Sequence, residues 1–324
     1  MKRVLVTGGA GFIGAHLVKK LIDNNFNVLI FDNLKTIGGI KFINPKCKFI
    51  KGDLTNPKDL EKVKKWKPKI IFHLAAQSGG ESAYDNPKYD YLTNGFGTFN
   101  LCKLAKDLKV SNFIYTSTVP VYGSSQKKKI NELSEIKPDS IYGVSKFAGE
   151  QFVEQILKNT KTKTTIFRVF NTYGPGENLD YMKKGMVSIY SSFVRLNKPI
   201  IVKGSLKRVR DITYIDDCVE ILFKTLVNKR LKKNEIINLS SGNSITVEKL
   251  IKKILKVNNK NLKIIKQKST PGDSFRFHTS NKKIKKLFRN FKFTSLEVGL
   301  KKYFKWINSI PKGKKIINYH PFQL

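Results

Sequence analysis

Three glycines spaced three apart, Gly8, Gly11 and Gly14, do more than any other feature to limit what this chain can fold into. They follow Val4-Leu5-Val6, a β-branched apolar run that reads as a buried strand. They lead into Ile13, Leu17, Val18, Leu21 and Ile22, which recur at helical spacing with Lys19, Lys20 and Asp23 off that face. Glycines between a strand and a helix permit a tight turn, close approach of the backbone to a pyrophosphate, and close packing of helix on strand. The free N–H groups and partial positive charge of the helix N-terminus then face the phosphates. A second apolar run, Asn27 to Phe31, ends at Asp32. A carboxylate there accepts from both ribose hydroxyls and repels a 2′-phosphate, which points to NAD rather than NADP.

The G-x-x-G-x-x-G spacing resembles the extended branch of the short-chain dehydrogenase/reductase superfamily, and later segments carry the same resemblance. Lys48 to Leu54 looks like the third strand with its Asp53-Leu54 adenine contact, and Ile70 to Gln77 like the fourth strand with its H-x-A-A signature. Asn94 to Asn100 looks like the N-x-x-G-T helix segment. The implied fold is α/β: a Rossmann-type doubly wound parallel sheet with a smaller C-terminal substrate-binding lobe. The expected division is residues 1–171 plus 209–240 for NAD and 172–208 plus 241–324 for substrate. The resemblance implies cofactor contacts from Gly8, Gly11, Phe12, Ile13, Gly14, Asp32, Asn33, Asp53, Leu54, Leu74, Ala75, Ala76 and Asn94. His73 reads as a polar strand-end residue, not a base or metal ligand, since no second His stands at ligand spacing.

The chemistry is expected around residues 112–146. Asn112 to Ser117 reads as the fifth strand, and Ser140-Ile141-Tyr142 opens a helix. Tyr142 and Lys146 stand at i and i+4, on one helix face. A phenol titrates near 10, too high for a base at neutral pH. A nearby ammonium and a positive nicotinamide are expected to pull it down. Tyr142 would then take a proton from a sugar hydroxyl while hydride leaves the same carbon. By resemblance, Lys146 also holds the nicotinamide ribose and Thr118 hydrogen-bonds the reacting hydroxyl. Ser117 is a substitute hydroxyl, and Tyr122 reads as a packing residue that also flanks the sugar.

Residues 1–280 resemble nucleotide-sugar epimerases and dehydratases. Arg168 to Gly176 looks like the R-x-x-N-x-Y-G-P-G block and Arg210 to Asp216 like R-D-x-x-x-V-x-D. The matching Asn171 and Arg210 would bind the substrate diphosphate, the alternative for Arg210 being an ion pair with Asp211 or Asp216. Dehydratases of the family carry an Asp-Glu pair after the threonine, and decarboxylases a Glu. Here the pair is Val119-Pro120, which favours epimerisation at C4, of the UDP-glucose/UDP-galactose type. Rivals are a 2-epimerase, a 4-ketoreductase or a 4,6-dehydratase. Gln77, Asp273, Arg276 and Phe277 complete the expected substrate contacts, with Phe277 favouring a plain hexose. Glu81 either enters the sugar pocket or faces solvent.

Composition sets the remaining bounds. The chain has 324 residues, 62 of them Lys or Arg against 24 Asp or Glu, a net charge of +38. Such an excess suggests nucleic acid, an acidic surface or an anionic substrate. Only eight of the 62 are Arg, and no nucleic-acid-binding signature accompanies them, so a solvated lysine surface is expected and an RNA-binding role is the remote rival. Cys47, Cys102 and Cys218 form no C-x-x-C pair and read as free thiols. No apolar run has a membrane-spanning length. A cytoplasmic enzyme without metal is expected. By resemblance it would be a homodimer through helices near 88–107 and 141–158.

Overall fold

A computed structural model describes residues 2–35, 42–124, 129–183, 185–269 and 277–311. In chain order its first elements are β1 (Arg3–Thr7), α1 (Phe12–Asp23), β2 (Asn27–Asp32), β3 (Lys48–Lys51), α2 (Pro57–Trp66), β4 (Ile70–His73), α3 (Gly80–Asp85), α4 (Pro87–Tyr91), a π-helical turn (Leu92–Phe96), α5 (Gly97–Asp107), β5 (Asn112–Thr118), a short 3-10 turn (Val119–Tyr122), α6 (Ile141–Leu157) and β6 (Lys163–Val169). Then come β7 (Asn171–Tyr173), α7 (Met186–Arg195), β8 (Ile200–Lys203), β9 (Val209–Tyr214), α8 (Ile215–Lys224), β10 (Glu235–Leu239), β11 (Ser244–Thr246), α9 (Val247–Val257), β12 (Ile264–Gln267), α10 (Lys282–Leu287) and α11 (Leu296–Ser309).

Seven strands form one parallel sheet in the order β10-β6-β5-β4-β1-β2-β3. The order reverses beside β1, as in a doubly wound Rossmann sheet. Strand alternation divides the core between two faces. Val4, Val6, Ile30 and Phe72 pack with α1 and α8 on one side. Leu5, Leu29, Ile71, Phe113 and Tyr115 pack with α5 and α6 on the other. Both faces are covered, which is why these strands are apolar runs rather than alternating ones.

A smaller lobe stands at the strands' C-terminal ends. It holds the three-stranded sheet β11-β9-β7, the pair β12-β8, and α7, α9 and α11. The large-sheet strand β6 stops at Val169, and Asn171 starts the separate strand β7, which pairs with β9. Phe170 between them turns into a separate cluster with Val119, Tyr122 and Phe277, and its N–H donates to Leu239 O at 3.2 Å. Helix α9 begins at a side-chain cap: the Thr246 hydroxyl accepts from Lys249 N. Among the described residues no metal-ligating cluster occurs, the three cysteines are free, and no helix is long and apolar enough to cross a membrane.

Candidate active site

Between the strand ends and the smaller lobe lies a cavity of about 950 Å³. Open parallel sheets place their ligands in this position. Its floor is the glycine turn. Gly8 has φ +69°, and a Cβ there would sit 2.6 Å from Ala75 N, so β1 and the end of β4 approach only because this residue has no side chain. Gly8 N donates to Phe31 O at 2.9 Å, and Gly11 N to Gly8 O at 3.0 Å. No side chain caps α1, whose N-cap is Gly11.

At the end of β2 the Asp32 carboxylate accepts from Ala10 N at 3.0 Å and Leu34 N at 2.8 Å. Burial pushes this carboxyl up, and the two N–H groups oppose it. Asn33 Nδ2 donates to Asp53 at 3.0 Å, joining the two loops that line this end. Two hydroxyls on the cavity wall, Thr93 Oγ1 and Ser117 Oγ, are buried without a partner among the described residues. Polar atoms left so are costly unless a ligand meets them. With the glycine cradle and the acid at β2, they fit a dinucleotide.

Tyr142 and Lys146 enter from α6, which the Ser140 side chain starts by accepting from Gly143 N at 3.1 Å. Tyr142 is hydrogen-bonded to Thr118, the last residue of β5. Lys146 Nζ lies 4.3 Å from the centre of the Tyr115 ring, and Lys146 is almost wholly buried. The expected depression of the phenol does not arise from the protein groups alone. Burial pushes Tyr142 up to about 12, with Asp90 adding to the rise. Burial also brings Lys146 down to about 7, so the ammonium meant to act on the phenol is itself weakened.

The smaller lobe supplies the other wall. Asn171 Nδ2 donates to Asp211 O at 3.1 Å. The Arg210 guanidinium stacks 5.2 Å from the centre of the Phe277 ring, and its Nη1 donates to Val209 O. Its neighbour in β9, Asp211, faces the other way and accepts from Ser241 N and Oγ, while Asp216 lies 4.0 Å from Lys302. Burial, then the nearby Arg208, lowers Arg210 to about 10. Arg208, just before β9 and two residues from Arg210, also lines the cavity, and the sequence reading missed it. The Arg-x-Arg alternation at Arg208 and Arg210 was the available signal. Glu81 lines the cavity and pairs with Lys203 across it at 3.2 Å.

The other expected contacts Gly14, Phe12, Ile13, Leu54, Leu74, Ala75, Ala76 and Gln77 also line this cavity. Asn94 does not reach its wall: it lies behind, fully buried, and donates to Gln77 O at 3.0 Å. His73 is buried between Thr7 and Thr98, 2.8 Å from each hydroxyl. Tyr122 donates to Asn238 at 2.8 Å and packs away from the cavity wall. Asp273 and Arg276 lie outside the described residues.

Residues 4–240 match the NAD dependent epimerase/dehydratase family. A UDP-glucose 4-epimerase from Thermotoga maritima, solved with UDP-glucose, has a TM-score of 0.89 at 29% identity, over 95% of this chain and 99% of that one. A UDP-glucuronic acid 4-epimerase from Bacillus cereus, solved with UDP-glucuronic acid and NAD, has a TM-score of 0.85 at 28% identity, over 95% and 99%. A human dTDP-D-glucose 4,6-dehydratase is 31% identical over 264 residues, 79% of this chain and 74% of that one. NAD is therefore the cofactor. The chain belongs to the NAD-dependent nucleotide-sugar epimerase/dehydratase family of extended short-chain dehydrogenases/reductases, among its UDP-glucose 4-epimerase-like members.

Proposed function

We propose that this enzyme epimerises a nucleotide sugar at C4, with UDP-glucose and UDP-galactose as the substrate pair. The observation that carries the reading is the pair Val119-Pro120, which lines the cavity directly after Thr118. Elimination or decarboxylation needs a second acid there to move a proton at a neighbouring carbon, and these side chains cannot titrate. Epimerisation needs only Tyr142, used first as base and then as acid on the same oxygen. Thr118 orients that oxygen and Lys146 stabilises the phenolate. Arg210 and Asn171 grip the diphosphate, Arg through its planar fork. Gln77, Glu81 and Phe277 bound the sugar, and Asp273 and Arg276 are further substrate contacts in this reading. Bound NAD supplies the chemistry of taking a hydride from C4 and returning it.

In this reading the lobes divide the work as 1–171 plus 209–240 for the dinucleotide and 172–208 plus 241–324 for the nucleotide sugar. A homodimer is part of it: Tyr84, Tyr91, Phe96 and Val144 are exposed apolar residues on and around α3 to α6.

The deciding experiment offers UDP-galactose, UDP-glucose and their N-acetyl forms to purified enzyme without added NAD. Interconversion of the plain hexoses is expected. A 4-keto-6-deoxy product, or a requirement for stoichiometric NADH, would replace this reading with a dehydratase or a reductase.

A further inference from the structure

Asp90 has no exposed surface, although it lies on the short helix α4 beside the exposed Tyr91. A carboxylate withdrawn from water must be hydrogen-bonded and balanced by a positive charge. Its Oδ2 accepts from Ser145 Oγ, and its Oδ1 from Asn94 Nδ2 at 3.2 Å. The same Asn94 amide lies 3.0 Å from Ser145 Oγ and 3.0 Å from Gln77 O. Ser145 Oγ is also 3.1 Å from the carbonyl of Tyr142. One carboxylate thus gathers three pieces of the site: the first turns of α6, the wall at Gln77, and the turn bearing Asn94. That turn is π-helical, a form that is rare and concentrated at functional sites.

The charges around Lys146 single out Asp90. Facing Lys146 are Glu150 from its own helix, Asp90 from α4, and the uncharged groups His73 of β4, Tyr115 of β5 and Tyr142. Glu150 is already matched by Arg168, which reaches it with Nε at 3.0 Å and Nη2 at 2.7 Å. Asp90 has only neutral donors, Ser145 and Asn94, so Lys146 is the cation its charge acts on.

We infer that Asp90 is a positioning residue for the Tyr142–Lys146 pair: the buried negative charge that fixes the catalytic turn of α6 against the cavity wall and balances Lys146. This rests on the proposed roles of those two residues. The carboxylate favours the charged form of Lys146 and disfavours that of Tyr142. Removing its charge lowers both titrations together.

The test is the pH–rate profile of the holoenzyme on UDP-galactose, for wild type, Asp90→Asn, Asp90→Glu and Tyr142→Phe. Asp90→Asn should slide both limbs of the kcat profile to lower pH by about one unit, and Asp90→Glu should restore them. A profile lowered in height with unmoved limbs would make Asp90 merely structural and overturn the inference. Tyr142→Phe with wild-type turnover would instead sink the assignment of the base. Binding of NADH, read by its fluorescence from about pH 5.5 to 9 around the expected titration, needs no sugar. Its alkaline fall should also move down in Asp90→Asn, and an unchanged midpoint would again overturn the inference. If Asp90→Asn fails to fold, Ser145→Ala loosens the same carboxylate and should shift both limbs the same way, by less.

Discussion

At the scale of single residues, the glycine turn separates two physical demands that the sequence motif fuses. Gly8 is required by the chain itself, since its φ of +69° and its approach to Ala75 leave no room for a side chain. Gly11 is in an ordinary extended conformation at φ −87°, and a Cβ there would meet only Gly8 O, at 3.2 Å. Gly11→Ala should therefore fold with a near-normal Tm yet bind NAD at least about tenfold more weakly, because the new methyl stands where a pyrophosphate approaches. Gly8→Ala should lose about 1–3 kcal/mol of stability as well. Calorimetric melting and NAD titration of the two variants check this, and equal Tm losses would sink the distinction. These glycines were legible because their spacing is tied to a strand and a helix on either side. Asp90 and Arg208 were not. A lone acid on a five-residue helix has no periodicity to mark it, the alternation of Arg208 with Arg210 spans only three residues, and the burial of both side chains is decided by distant segments.

At the scale of elements, α6 carries Tyr142, Lys146 and Glu150 at four-residue intervals, a single helix face that runs from the cavity into the protein. Its inner end is tied to β6 by the Glu150–Arg168 pair, both side chains at most 3% exposed. Arg168 also donates to Tyr122 OH at 2.9 Å, which fixes the segment after Thr118. The sequence predicted this helix, its Ser140 start and the neighbouring strands, since each is a strong local pattern. It did not predict the ion pair, whose partners are 18 residues apart, nor the break at Phe170. That break is set by a pocket among Val119, Tyr122 and Phe277 that exists only once the chain has folded. Glu150→Ala strands a buried guanidinium and should destabilise the enzyme by about 3–5 kcal/mol. Urea unfolding measures this. A loss below about 1 kcal/mol would mean that Arg168 finds water or another acceptor. The double variant Glu150→Leu with Arg168→Met should recover much of the loss, because neither charge is then buried alone.

At the scale of the molecule, the net charge of +38 separates into a few placed cations and a broad lysine surface. Lys146, Arg208, Arg210 and Lys203 line the cavity, where two anionic ligands are to be held. The exposed lysines form scattered pairs such as Lys252–Glu248 and Lys301–Glu297, which stabilise little. Stability resides instead in apolar packing that does not respect the division of the site between two lobes. Val4, Val6, Leu17 and Phe72 of the Rossmann sheet and α1 belong to the same continuous core as Tyr190, Val202, Ile251 and Trp306 of the smaller lobe. The chain passes between the lobes repeatedly, and α8 returns from the small sheet to pack on α1. Lobes that share a core cannot lose it separately, so scanning calorimetry should record one transition, with van't Hoff and calorimetric enthalpies in agreement. Saturating NAD should raise that whole transition rather than split it, since ligand binding to the native state stabilises every part that unfolds with the site. Two resolved transitions, with only the first or only the second moved by NAD, would show that the core is divided after all and that the cavity lies between independently stable halves.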